Sequence, residues 1–368
     1  MDKKYPVIEV DLKKVRHNID EIVSRCRARG IAITGVVKGF NGILPVMRQF
    51  DESDCIGIGS SRFEHIEEAR KAGFKKPFLA LRVPMLSEIP DLVRLCDISL
   101  NSEVEVLKAI NLECVKQGKK HSVILMADLG DLREGFWDKD EMTAAAVMVE
   151  KDLDNLHLLG VGTNLGCYGS INPTVDKMEE LITIAENIET AIGRKLEIIS
   201  GGATTSLPLV LNNAMPARIN HLRCGEGILL GRDLQDLWHV DMSFLHFDVF
   251  TVKAEIIELK EKPSHPVGEI FVDAYGNKVE YEDKGIRRKA LLAIGKLDVG
   301  FTDAFVPRAP GIEVLGGSSD HLILDITDDT AERKVGDTME FDVRYSTMMF
   351  TTASRYLRVE ITNGEESY

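Results

Sequence analysis

From about residue 31 to residue 225 the chain repeats one rhythm: a short apolar run, a few small or polar residues, then a longer stretch with helical spacing. Eight runs fit the strand part: "IAITGVV", "CIGIG", "FLALR", "DISL", "SVILMAD", "LLGVGT", "EIIS" and "INHLR". Between them, segments such as "RFEHIEEARKAG" and "TVDKMEELITIAENIETAIG" place apolar residues three and four apart and end in glycine, as amphipathic helices do. Strands alternating with helices imply βαβ units and a parallel sheet. About eight of them close into a (β/α)8 TIM-type barrel, with the active site at the C-terminal strand ends. After about residue 236 the rhythm changes. "FDVFTVKAEIIELKE", "IEVLGGSSDHLILDITDD", "DTMEFDVRY" and "SRYLRVEIT" read as strands joined by turns, with no helix between them. The expected organisation is therefore α/β, a barrel over 1–235 followed by an all-β domain over 236–368. The early run "VIEVDL" can pair with either. At 368 residues the chain exceeds the usual size of one hydrophobic core, which agrees with two domains.

Charge and composition narrow the function. A formal net charge of −14 argues against a nucleic-acid partner, since duplex affinity rests on lysines and arginines neutralising phosphates. No apolar run approaches the roughly 20 residues that a membrane helix needs, and the N-terminus lacks the apolar stretch of a signal peptide. Six cysteines are scattered without a CxxC pair, so a reducing cytoplasm is the expected setting, most of the thiols are expected to be buried, and no metal site is expected.

The strand ends carry the chemistry. "VVKGFNG" sets Lys38 at the end of the first barrel strand, where partial desolvation lowers an amine's pKa and makes it a Schiff-base nucleophile. An ordinary surface lysine is the plain alternative. "SGGATTS", Ser200 to Ser206, and "RCGEG", Arg223 to Gly227, follow strands seven and eight, where barrels commonly bind phosphate. "DLGDLREGF" brings Asp131 and Arg133 to the same mouth, and "VGTNLGCYG" brings Asn164 and Tyr168. The glycines of "GVGTNLG" approximate a dinucleotide fingerprint, but they stand late in the strand series rather than in a first βαβ unit.

On these residues the sequence resembles the fold type III pyridoxal-phosphate enzymes, specifically the alanine racemase-like family and its ornithine/alanine racemase branch. The resemblance implies that Lys38 holds pyridoxal 5'-phosphate as an internal aldimine. It also implies that Arg133 lies near the cofactor's phenolic oxygen and the substrate carboxylate, and that Arg223 faces the pyridine nitrogen. Ser200, Thr204, Thr205, Gly225 and Glu226 fall on the phosphate loops. Asn164 stands where many alanine racemases place a histidine, and "KGFNG" lacks the family's nearby phosphate-binding tyrosine. In the second domain "AIGKLDVG" resembles a β segment of the family, and "GGSSDHLILDIT" places Ser319 and Asp320 at the substrate carboxylate. A racemase needs acid/base groups on both faces of its planar intermediate. Lys38 is one, and the resemblance implies a β-domain tyrosine from the partner subunit of a head-to-tail homodimer. Tyr275 has roughly suitable spacing, with Tyr281, Tyr345 and His265 behind it.

The expected function is interconversion of L and D amino acids, ornithine or another basic amino acid first and alanine as the alternative. Asp131, Glu134, Glu226, Asp298 and Asp320 are the acidic candidates for a distal ammonium. Other outcomes on the same scaffold are a decarboxylase, an aldolase acting on β-hydroxy amino acids, or a non-catalytic pyridoxal-phosphate carrier.

Overall fold

The computed structural model describes residues 4–364. It divides into two compact units, Val15–Leu245 on one side and, on the other, the chain up to Lys14 together with the chain from His246 onward.

Eight parallel strands form a closed barrel in the first unit: β2 (Ala32–Val36), β3 (Gly57–Ser60), β4 (Phe78–Ala80), β5 (Ile98–Asn101), β6 (His121–Met126), β7 (Leu156–Gly162), β8 (Ile198–Ser200) and β9 (His221–Cys224). Each coincides with one of the runs read from the sequence. Closure is made by β9 against β2, with Ala32 opposite His221 and Gly35 opposite Cys224. Apolar residues such as Leu79, Leu100, Ile124 and Met126 pack in one cluster. Gly35 is required by packing, because a Cβ there would lie 2.2 Å from the Phe50 ring. Phe50 in turn stacks on Phe40, the residue that anchors the turn after β2.

The second unit is built on an antiparallel sheet. Its strands are β1 (Val7–Asp11), β10 (Phe250–Pro263), β11 (Ile286–Leu292), β12 (Phe305–Pro307), β13 (Glu313–Gly317), β14 (Leu322–Asp325), β15 (Thr338–Val343) and β16 (Arg358–Thr362). The strand order is β12-β15-β10-β11-β14-β13, and β1 lies antiparallel to β10 and parallel to β16. The "VIEVDL" run thus belongs with the β domain, which differs from a division at 235/236 with residues 1–14 in the barrel. The physical reason is that β1 finds hydrogen-bonding partners on both of its edges there.

Helices interrupt the strands of this antiparallel domain where the sequence reading expects none, one of them the four-residue Lys296–Val299. Tyr345–Ala353 is a helix of nine residues. Its sequence, "YSTMMFTTA", is rich in strand-favouring residues. The threonine hydroxyls find partners within the helix: the Arg344 N–H donates to Thr347 Oγ1 at 2.9 Å, and Thr351 and Thr352 donate back to the carbonyls of Thr347 and Met348 at 2.8 and 2.7 Å. No helix among the described residues is long and apolar enough to cross a membrane.

Candidate active site

Lys38 opens a single 3₁₀ turn, Lys38–Phe40, directly after β2. Asn41 and Gly42 follow with φ of 53° and 65°, which lets the chain reverse, and a Cβ on Gly42 would lie 2.5 Å from the His65 ring. The turn is also fastened by the N–H of Gly42 donating to the Val37 carbonyl at 3.3 Å. Solvent reaches the Lys38 side chain, yet protein crowds its amine. Desolvation first, and the Arg133 guanidinium second, hold its pKa below the usual lysine value, partly opposed by Glu134.

Arg133 follows β6. It chelates Glu134, with Nη2 donating to Oε1 at 2.6 Å and Nε donating to Oε2, and its Nη1 lies 2.8 Å from the Cys167 sulfur. Cys167 is exposed, whereas the other five cysteines are buried.

Arg223, on β9, is 4% exposed. Its Nη1 donates to Ser200 Oγ at 2.5 Å and its Nη2 to the Thr163 carbonyl at 2.7 Å. Ser200 Oγ also meets His221 Nδ1 at 2.8 Å, and His221 Nε2 meets Thr34 Oγ1 at 2.8 Å. A guanidinium only donates, so the assignment that satisfies every group has Ser200 giving its proton to Nδ1 and His221 donating from Nε2. The imidazole is then neutral, in accord with a pKa pushed down to about 3 by burial and then by Arg223. Burial lowers Arg223 to about 10, which leaves it charged at neutral pH. A buried cation whose bonds run only to neutral oxygens is a site built for a complementary acceptor or anion.

Ser200 therefore sits within β8 bound to Arg223 and His221, rather than in the loop beyond. Thr204 and Thr205 occupy that loop. Thr204 Oγ1 accepts from the N–H of Gly227 at 3.0 Å, and Thr205 donates to the Leu165 carbonyl at 2.8 Å. Gly225 and Gly227 hold the loops close, since a Cβ on either would lie 2.8 Å from Val36 or from Thr204 and Leu207. Glu226 opens the short helix Glu226–Leu229. Asn164, half-buried, follows β7.

Asp131 has a different task from the one its position suggested. Its carboxylate accepts from the N–H groups of Gly166, Cys167, Tyr168 and Ile171 at 3.1, 3.3, 3.0 and 3.4 Å. Burial pushes its pKa up, but these bonds together hold it below the usual carboxylate value. Asp131 is the brace of the loop after β7, and Tyr168 stands exposed on that loop.

In the β domain, Tyr275 is half exposed in a turn, and Ser319 donates to Asp320 at 2.6 Å. Tyr281 and His265 lie edge to face on the same stretch, Tyr345 begins the nine-residue helix, and Asp298 is buried with Ser354 donating to it at 2.6 Å. Among the described residues no cluster of three or more His, Cys, Asp or Glu side chains could hold a metal.

The (β/α)8 barrel thus carries an amine of lowered pKa at its mouth, a buried arginine on its last strand and glycine-set loops after its last two strands, and the same chain builds an antiparallel domain. The family model "Alanine racemase, N-terminal domain" matches residues 10–233. The chain is 39% identical to the ornithine racemase of Acetoanaerobium sticklandii, covering 97% of this chain and 99% of that protein. It is 38% identical to the lysine racemase of Thermotoga maritima over 96% and 97% of the two chains. Among solved structures it is similar to the alanine racemase of Streptomyces lavendulae, with a TM-score of 0.74 at 18% identity over 99% and 98% of the chains, a likeness of fold. The chain belongs to the alanine racemase family and is a pyridoxal-phosphate-dependent amino-acid racemase.

Proposed function

We propose that this chain interconverts the L and D forms of ornithine or another basic amino acid, as a head-to-tail homodimer. The observation that carries the reading is the Lys38 amine, set by a rigid turn at the barrel mouth and lowered in pKa by desolvation and Arg133. The basic side chain is supported by the two racemases named above, which this chain matches along nearly its whole length.

The residues present fit the cofactor. Lys38 would carry it covalently, the loops around Thr204, Thr205, Gly225 and Glu226 would receive its phosphate, and Arg223 would face its ring nitrogen. When bound, pyridoxal phosphate supplies the electron withdrawal that acidifies the substrate's α C–H. Arg223, kept charged and fixed by Ser200 and Thr163, presents a donor and discourages protonation of that nitrogen. The pull is moderate, which favours quick removal and return of a proton over chemistry needing a long-lived carbanion. Arg133 orients the substrate carboxylate. Lys38 would move a proton at one face of the substrate's Cα, and a group from the β domain of the second copy would move one at the other.

Three acidic candidates for the distal ammonium are already committed: Asp131 to four backbone N–H groups, Glu134 to the Arg133 guanidinium, and Asp298 to Ser354 and the Gly295 N–H. Glu226 and Asp320 are the side chains to test. Incubating purified holoenzyme with L-ornithine, L-lysine and L-alanine in deuterated water tests the reading. Loss of optical rotation with α-deuterium in both enantiomers, fastest for the basic substrates, is expected. Faster turnover of alanine would move the substrate, and no exchange with any of the three would refute racemisation.

A further inference from the structure

The turn that holds Tyr275 is braced by its own neighbours, with Asp273 Oδ1 accepting from the N–H groups of Tyr275 at 2.9 Å and Asn277 at 2.8 Å. Over the face of the Tyr275 ring, 4.0 Å from its centroid, lies the amine of Lys296. The two residues are held very differently. Lys296 opens the short helix Lys296–Val299, and its N–H donates to the Ser318 carbonyl at 2.8 Å, while the N–H of Leu297 donates to the Ser319 carbonyl at 3.1 Å. Gly295 brings the two segments together so closely that a Cβ on it would lie 2.2 Å from the Ser319 carbonyl oxygen. Asp298 fixes the far side, accepting from Ser354 Oγ at 2.6 Å and from the Gly295 N–H at 3.4 Å.

Lys296 is thereby part of the same rigid piece as Ser319 and Asp320, the segment that the sequence resemblance implies at the substrate carboxylate beside Arg133. The α-proton sits on the carbon next to that carboxylate. A group that exchanges it has to be placed by whatever places the carboxylate, within hydrogen-bond reach. Lys296 meets that requirement through its backbone, and the ring of Tyr275 gives its amine a seat through a cation–π contact. Resting on the functional reading above, we propose that Lys296 is the second acid/base group of the racemase and that Tyr275 is a positioning residue beneath it. In one direction the neutral Lys296 amine takes the α-proton: the C–H bond breaks, an N–H bond forms, and the electron pair stays with the substrate. The Lys38 ammonium then returns a proton to the opposite face. In the other direction the two lysines exchange tasks, and no further reactant is consumed.

The test compares holoenzymes of wild type, Lys296→Ala, Tyr275→Phe and Tyr275→Ala by cofactor absorbance, racemisation and α-deuterium content of each resolved enantiomer. Lys296→Ala is expected to keep the cofactor band and to lose racemisation by about 10²- to 10⁴-fold. It should still take up deuterium in one enantiomer with retained configuration, because Lys38 continues to exchange one face. Tyr275→Phe keeps a ring under the amine, so it slows kcat yet still labels both enantiomers, and Tyr275→Ala lowers kcat further with little change in KM. Racemisation by Lys296→Ala at the wild-type rate, or single-face exchange produced by Tyr275→Phe instead, overturns the assignment alone. A wild type that exchanges no α-proton overturns the functional reading and the assignment with it.

Discussion

Buried charge is handled in opposite ways at Asp325 and Asp342 of the β domain and at Arg223 of the barrel. In the β domain, buried carboxylates meet cations or hydroxyls: Asp325 takes Arg287 Nε at 2.7 Å and Thr327 Oγ1 at 2.6 Å, and Asp342 takes Arg308 Nε at 2.6 Å. Beside them its interior holds apolar packing such as the stack of Phe305 on Phe341, with centroids 4.3 Å apart. In the barrel, the buried Arg223 meets only a hydroxyl and a carbonyl, and a neutral histidine stands behind the hydroxyl. Removing water from a charge without a counter-ion is costly, and a fold tolerates it where a ligand completes the set. The β domain uses its polar groups for stability, whereas the barrel holds some of its own in reserve for chemistry.

The largest effect that can break this contrast is on Lys38. Lys38→Ala should abolish the cofactor absorbance band and lower racemisation by about 10³-fold or more, with an unchanged melting temperature. Next come two arginines with opposite outcomes. Arg287→Ala, which strips Asp325 of its cation, should lower the denaturant midpoint and leave turnover intact. Arg223→Met should lower kcat by about 10²-fold and destabilise less than Arg287→Ala, because it removes a cation lacking a counter-ion. Equal losses of stability in the two variants would erase the distinction.

Smaller effects sharpen it. His221 takes up its proton at about 3 when folded, against 6.5 for the ordinary imidazole. The unfolded chain therefore binds that proton first, so this contribution is fully present above pH 6.5 and is lost progressively as the pH falls toward 3. His221→Asn should flatten the acid slope of stability by up to about 1.4 kcal/mol per pH unit. Asp131→Ala should cost about 1–3 kcal/mol and speed hydrogen exchange at Gly166 to Ile171, with a smaller loss of turnover. Protection at those amides surviving the substitution would remove Asp131 as the brace.

The eight barrel strands were legible because each is a short apolar run followed by small or polar residues, and that local pattern suffices. The strand ends likewise marked Lys38, Arg133 and Arg223. What stayed hidden is pairing across distance. Arg223 meets Thr163 and His221 meets Thr34, on strands or loops far apart in sequence, and nothing near "INHLR" announces a neutral histidine. Asp131 read as a mouth carboxylate because its four N–H partners lie on the next loop. The helix Tyr345–Ala353 falls between two runs read as strands, where no helix is expected because its threonines favour strands; their hydroxyls bond to carbonyls within the helix. Lys296 carried no local mark either, since its place depends on Gly295 meeting Ser319.

The central claim is that the barrel lysine Lys38 is the residue joined to the cofactor. Borohydride reduction of the holoenzyme followed by peptide mass mapping tests it most directly. A pyridoxyl mass increment on the peptide containing Lys38, and none on that containing Lys296, is predicted; an increment on any other lysine, or on none, would contradict the account.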